Sequence, residues 1–207
     1  MLKTKPWGKA CLTVLALVLA VAATAPAQSS KSSSQLHSPA SRDAIRTDAL
    51  KEEVRHQLVT LPYYSVFDWL QADVKPDGTV TLMGEVTQPT TKDDAEGRVK
   101  KLESATRVIN NIEVLPLGSN DDQIRLQVYN AIMSHTTMTR YAIRGPNSPI
   151  HVLVKNGNVT LEGFVGLEPD KNIANLQANG VPGVFSVKNN LRVDEKVAKD
   201  KEVRDKP

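Results

Sequence analysis

Cysteine is almost absent: the chain of 207 residues has one, Cys11. It stands near the start of an apolar run, after Lys9-Ala10, whereas a lipid-modified cysteine belongs at the end of such a run behind a small-residue box. A lipoprotein reading therefore fails. Once the leader described below is removed, no thiol remains, which excludes disulfides, cysteine nucleophiles and thiolate metal sites. Aromatic residues are scarce at 4%, so any core must be mostly aliphatic. Histidine is also scarce. His37, His56, His135 and His151 have no metal-ligand spacing and read as ordinary surface or edge residues. No Gly-x-Ser-x-Gly elbow, phosphate loop or dinucleotide fingerprint occurs. No nucleophile, base and orienting group can be assembled, so neither an enzyme nor a cofactor is expected. Asp93, Asp94 and Glu96 could suggest a cation site, but acidic side chains at the start of a helix are explained by its dipole. No metal is expected either.

An excess of charge is missing too. The formal net charge of +3 comes from 26 basic and 23 acidic residues. Lys3, Lys5 and Lys9 belong to the leader, and without them the two signs balance at 23 each. A chain without net charge has no global attraction to nucleic acid or to anionic membrane, so any such attraction is local. The leader itself has three parts: the lysines, an apolar run from Ala10 to Ala23, and the small residues Ala25-Pro26-Ala27. This is the pattern of a cleaved secretory signal peptide over 1–27. The run is short of the roughly 20 residues a membrane span requires. The expected location is therefore periplasmic or secreted. A Ser-rich linker should follow over 28–42, and a charged tail without a site should close the chain over 194–207.

Between them the hydrophobic pattern is written twice. Leu50, Val54 and Leu58 fall on one face of a helix that Asp43 or Asp48 could cap, and Pro62 closes it. Val66 to Val74 reads as a strand in which Leu70, Ala72 and Val74 alternate, Pro76-Asp77-Gly78 turns, and Val80, Leu82 and Val86 return. A helix from Thr90 or Thr91 carries Ala95, Val99 and Leu102, before a short strand with Val108, Ile112 and Val114. The second pass starts with Asn120 or Asp121 as cap and Ile124, Val128 and Ile132 on the helix. Ile150, Val152 and Val154 follow, then an Asn156-Gly157 turn, then Val159, Leu161 and Val165. Pro169 opens a helix with Ile173, Ala174 and Leu176, and Val184, Val187, Leu191 and Val193 finish. Gly78 and Gly157, Gly84 and Gly163, and Asn110-Asn111 and Asn189-Asn190 all lie 79 apart, whereas the first helices lie 74 apart. The difference is a loop insertion in the second copy around Ile143-Arg144-Gly145-Pro146-Asn147-Ser148-Pro149. Each copy, 43–115 and 121–193, is marginal as an independent core, so the two should pack together. Gly78 and Gly157 read as turn glycines. Gly84 and Gly163, inside strands, read as sites of a bulge or close backbone approach. A glycosylation sequon at Asn158-Val159-Thr160 lies within the hairpin and carries no weight.

The motif V-x-V-x-x-G-x-V-x-L-x-G-x-V, followed by a helix and V-x-x-V-x-N-x-[IL]-x-V, resembles the BON domain family. The likeness is to its two-copy secreted members of the osmotically inducible periplasmic type in particular. Copy two carries Ile150, Val152, Val154, Gly157, Val159, Leu161, Gly163, Val165, then Gly183, Val184, Val187, Asn189, Leu191 and Val193. Copy one carries Leu70, Ala72, Val74, Gly78, Val80, Leu82, Gly84, Val86, then Val108, Asn110, Ile112 and Val114, but has Ser104-Ala105 where copy two has Gly183-Val184. The resemblance implies an α+β fold made of two αββαβ modules, each a small three-stranded sheet packed by two helices. It also implies an envelope location, phospholipid or another membrane surface as ligand, and no catalytic residues.

The copies differ in charge. Residues 48–115 hold 8 basic and 12 acidic side chains, whereas residues 121–193 hold 7 and 5. An anionic phospholipid surface should therefore meet copy two, with Arg140, Tyr141 and Arg144 beside the inserted loop as the lipid-facing residues. The competing expectation is a protein-interaction or chaperone-like envelope module using strand edges or a groove between copies. Nucleic acid is not expected as a partner.

Overall fold

A computed structural model describes residues 39–116, 118–142 and 148–194. The leader, most of the Ser-rich stretch, Arg144 and most of the charged tail lie outside those residues. The described residues form one compact unit. Copy one runs α1 (Pro39–Val59), β1 (Trp69–Val74), β2 (Thr79–Val86), α2 (Pro89–Val99) and β3 (Arg107–Val114). Copy two runs α3 (Ser119–Ser134), a 3-10 turn (Thr139–Tyr141), β4 (Ile150–Lys155), β5 (Asn158–Val165), α4 (Glu168–Asn179), β6 (Ser186–Asn189) and β7 (Arg192–Val193). In each copy the first two strands form an antiparallel hairpin and the last strand joins it in parallel beyond the hairpin's second strand, after a helical crossover. This is the α+β tandem of αββαβ modules.

The boundaries depart from expectation where capping was read from side chains. Helix α1 starts at Pro39, inside the stretch read as linker, so Asp43 and Asp48 sit within the helix rather than at its cap. Helix α2 begins at Pro89, whose fixed φ suits a first turn, and Thr91 is already buried. Helix α3 has Gly118 at its N-cap, not Asn120 or Asp121. Asp121 does something else. Its carboxylate accepts the backbone N–H groups of Asn156 (2.7 Å) and Gly157 (2.9 Å), tying the first turn of α3 to the tip of the second hairpin. The final strand of copy two is broken into β6 and β7, both parallel to β5.

Each core lies between a helix pair and one face of a sheet. Leu50, Val54, Leu58, Val80, Leu82, Val86, Ala95 and Val99 fill the first. Ile124, Val128, Ile132, Ile150, Val152, Val159, Leu161 and Ala174 fill the second. A fully buried aliphatic side chain contributes ~1.5–3 kcal/mol, which is why so few aromatics suffice. The strand glycines allow the sheets to close. A Cβ on Gly84 would stand 1.9 Å from the Trp69 carbonyl oxygen, and one on Gly163 would stand 2.1 Å from that of Pro149, with φ at +121° and +120°. The aligned asparagines brace the crossovers. The Nδ2 of Asn110 donates to the Lys92 carbonyl (3.2 Å) and that of Asn189 to the Lys171 carbonyl (2.8 Å), while each Oδ1 accepts the N–H two residues on.

The strand expected from Val66 starts only at Trp69, because Asp68 folds the preceding residues into a turn, and the copies meet through that turn. Asp68 is fully buried, and its carboxylate accepts four bonds: from the Ser65 N–H and hydroxyl (2.8 and 2.7 Å) and from the Thr87 N–H and hydroxyl (2.6 and 2.9 Å). The turn so held presents the Val66 carbonyl to the Val152 N–H (2.8 Å) and inserts the Val66 side chain into the core of copy two. Phe67 meets Tyr129 edge to face (6.2 Å), and His151 lies against Tyr64 (5.8 Å) and Trp69 (5.0 Å). Glu113 and Lys155 close the far end as an exposed ion pair. Expected as an edge or surface residue, His151 is instead 2% exposed, because the helix-free face of sheet β4–β5 is covered here by copy one.

Burial holds the His151 pKa below its ordinary 6.5, against the opposing pull of nearby backbone carbonyls at Asp68, Ser148 and Ser65 and of the Asp68 charge. With the folded value lowered, the stability this neutral ring contributes is present above about pH 6.5. It is lost as pH falls through the folded value, because the unfolded chain takes the proton first. Glu85 has the opposite sign: burial, with Glu113 beside it, raises its pKa, so acidification relieves it. Urea midpoints measured at pH 7.5 and pH 5 for the wild type and His151→Gln separate the two. The wild type should lose more stability on acidification than the variant, and equal losses would mean that His151 is not held neutral.

Candidate functional site

The expected lipid-facing residues come after α3. His135 ends that helix, and the chain turns through Met138, which is buried, into Thr139–Tyr141. There Tyr141 points inward and is only 3% exposed. Its hydroxyl donates to Asp170 Oδ2 (2.6 Å) and accepts the Gly166 N–H (2.8 Å). Arg140 forms an ion pair with the same Asp170 oxygen and places its guanidinium 5.0 Å from the Tyr141 ring centroid. Asp170 is itself 2% exposed, in the first turn of α4. Burial and the Asp170 bond push the Tyr141 phenol up. The cluster thus ties the turn after α3 to the start of α4. Tyr141 is a core residue rather than an interfacial one, and Arg140 keeps 29% of its side chain exposed. The sequence showed the residue types, but the partner that turns them inward, Asp170, lies 30 residues away.

The surface that copy two does expose is apolar and was not foreseen. Copy one exposes the large hydrophobic side chains Ile45 (56%) and Tyr63 (58%). Among those that copy two exposes are Leu126 (53%), Leu167 (46%), Leu176 (69%) and Phe185 (81%). Under the repeat, the matching positions of copy one are Glu52, Gln88, Gly97 and Thr106. The pair Phe185 and Thr106 is the clearest comparison. Both backbone amides donate to the turn glycine, Phe185 to Gly157 and Thr106 to Gly78, each at 2.9 Å. The Thr106 hydroxyl then bonds the Asp77 carbonyl (2.8 Å), whereas the Phe185 ring stands in solvent beside Gly157. Leu176 forms the rim of a groove between α3 and α4 whose other wall includes Ala131, with Val181 and Pro182 at its end. The loop from Val181 leads on to Phe185. A copy-to-copy comparison of exposed positions would have found this set, since each change is from polar or small to large and apolar.

Among the described residues no three His, Cys, Asp or Glu side chains are placed to hold a metal. His56, His135 and His151 lie on separate elements. Among the described residues no helix is long and apolar enough to cross a membrane.

The BON domain family matches the chain twice, over residues 46–116 and 120–195. No curated protein matches the sequence. Among solved structures the chain is similar to the C-terminal domain of CdsD, a structural protein of the type III secretion system of Chlamydia trachomatis. The identity is 14%, covering 69% of this chain and 96% of that one, with a TM-score of 0.27. A second CdsD structure from the same organism gives 16% identity, 77% and 100% coverage and a TM-score of 0.26.

Tyr141→Phe tests the Asp170 cluster. It leaves the buried Gly166 N–H without an acceptor and Asp170 one donor short, so chemical denaturation should show a loss of about 1–3 kcal/mol. An unchanged midpoint would mean that the cluster does not hold α4.

Proposed function

Because the chain belongs to the BON-domain family and carries two of its modules in tandem, we propose that it is a non-enzymatic cell-envelope protein that associates with phospholipid membrane surfaces through copy two. Envelope maintenance or stress protection is the role that suits it, and export through the cleaved leader delivers it to the periplasm or beyond. The observation that carries the reading is the set of large apolar side chains that copy two exposes where copy one has polar or small residues. Leu176 and Phe185 stand where copy one has Gly97 and Thr106. An amphipathic face of this kind rests at the boundary of headgroups and acyl chains, its binding scaling with the apolar area buried there.

Charge supports the same module. Copy two is the more basic of the two, and a basic side chain near an anionic surface contributes ~1 kcal/mol. The exposed part of Arg140 and the Arg144 of the inserted loop are the cations proposed to meet headgroups. Tyr141 is left out, because its hydroxyl is engaged inside the module. The resulting association is shallow, reversible and weakened by salt.

Co-sedimentation of residues 37–207 with phosphatidylcholine vesicles of increasing phosphatidylglycerol content tests it, the apolar leader being omitted because it would partition into lipid on its own. Binding should rise with anionic lipid, fall with salt, and drop at least about fivefold in the double variant Leu176→Ser, Phe185→Thr. Both sites are exposed, so the variant should fold normally. No anionic-lipid-dependent binding at low ionic strength would sink the proposal.

A further inference from the structure

The duplication leaves one groove filled and its counterpart open. In copy two the outer edge of β4, beside α3, is occupied by copy one: the Val66 carbonyl takes the Val152 N–H, Val66 enters the core and Phe67 packs on Tyr129. In copy one the corresponding groove lies between α1 and β1. It is lined by Leu58, Val59, Leu70, Ala72 and Val74, with Lys51 and Arg55 on the helix side. The positions correspond one to one. Lys51, Arg55, Leu58 and Val59 match Arg125, Tyr129, Ile132 and Met133 on the helix, and Ala72 matches Val152 on the strand.

The hydrogen-bond ladder fixes which amides are available. Lys75 N–H bonds the Thr79 carbonyl, so the closely bonded antiparallel pairs alternate from there, and Ala72 and Val74 direct their N–H groups away from β2. The same alternation places the Val152 N–H outward in β4, where Val66 takes it. On β1 the next outward amide, Leu70, is already capped by the Tyr64 hydroxyl (3.3 Å). Two adjacent outward positions therefore remain beside an apolar groove.

We propose that the α1–β1 groove of copy one is a docking site for a short extended segment of another protein, added to the β1 edge as Val66 is added to β4. The occupied groove gives the chemistry of that segment: a β-branched residue whose carbonyl takes the Ala72 N–H, then an aromatic, then an acidic residue, as in Val66-Phe67-Asp68. The aromatic is received by Arg55, which stands where the Tyr129 ring receives Phe67. A guanidinium accepts an aromatic face by cation–π contact. Among the described residues Lys51 pairs with exposed Asp48 and Arg55 with exposed Glu52. Exposed pairs of that kind contribute little, so exchanging them for the acidic residue of an incoming strand costs little. Strand addition of this type takes its affinity from main-chain bonds and its selectivity from alternate side chains. The site is distinct from the apolar surface of copy two and does not rest on the lipid reading.

The probe is a labelled synthetic peptide with the sequence of residues 63–69, titrated into residues 37–207 and followed by fluorescence anisotropy and by the amide spectrum of the protein. Saturable binding should shift the Ala72 and Val74 amides. Ala72→Pro should weaken it at least tenfold, since proline removes an N–H outside the ladder and is tolerated on an edge strand. Arg55→Glu, an exposed change, should weaken it as well and provides the test should the proline variant not fold. Vesicle binding should be unaffected by either. No saturable binding at millimolar peptide, or binding indifferent to both substitutions, would overturn the proposal.

Discussion

The buried carboxylate of Asp68 is the constraint on which the arrangement of the two copies depends. Four hydrogen bonds converge on it, two from Ser65 at the start of its own turn and two from Thr87 at the end of β2. Bonds to a charged group are worth about 1.5–3 kcal/mol each, and a buried carboxylate deprived of them would be strongly destabilising. The turn is therefore held rigidly against copy one, and Val66 and Phe67 are aimed at copy two with their backbone already ordered. Everything along the seam follows from that placement. β4 gains a partner on its open edge, His151 is enclosed between Tyr64 and Trp69, and the helix-free face of the second sheet is shielded. A module of roughly 70 residues buries too little surface to be robust alone, and the borrowed Val66 enlarges the core of copy two.

The tandem fold could be read from the sequence because its signals are local and doubled. Glycines at equal spacing, alternating aliphatics and i, i+4 helix faces placed all the elements but the 3-10 turn and β7 near their observed positions, since each depends on neighbours a few residues away. The last strand of copy two is broken, and β7 follows the break. The caps misled for a related reason. An aspartate near a helix start is a reasonable cap, but Asp121 is taken by backbone amides 35 and 36 residues further on, and no local pattern announces such a pairing. Tyr141 was read as interfacial because a tyrosine between arginines looks amphipathic, yet Asp170 holds its hydroxyl inside the module, while Arg140 pairs with the same carboxylate and stays part-exposed. His151 alternates with core residues, and what makes it buried is the other copy.

The two modules share one backbone plan and have diverged in what they leave exposed. Copy two shows solvent Leu126, Leu167, Leu176 and Phe185 where copy one has Glu52, Gln88, Gly97 and Thr106. Copy one instead keeps an open strand edge with Lys51 and Arg55 beside it, at the place where copy two is already filled. A surface suited to lipid on one module and an edge suited to a peptide on the other divide the outside of the molecule between two kinds of contact. The seam keeps the two contacts in fixed relation.

Native-state hydrogen exchange of the Val152 amide, in the wild type and in Asp68→Ala, tests this account most directly. If the Asp68-held turn is what covers β4, the substitution should lower protection at Val152 at least tenfold. The Thr160 amide, bonded inside the β4–β5 hairpin, should keep its protection. Undiminished protection at Val152 in the variant would show that the copies are joined without Asp68 and would contradict the account.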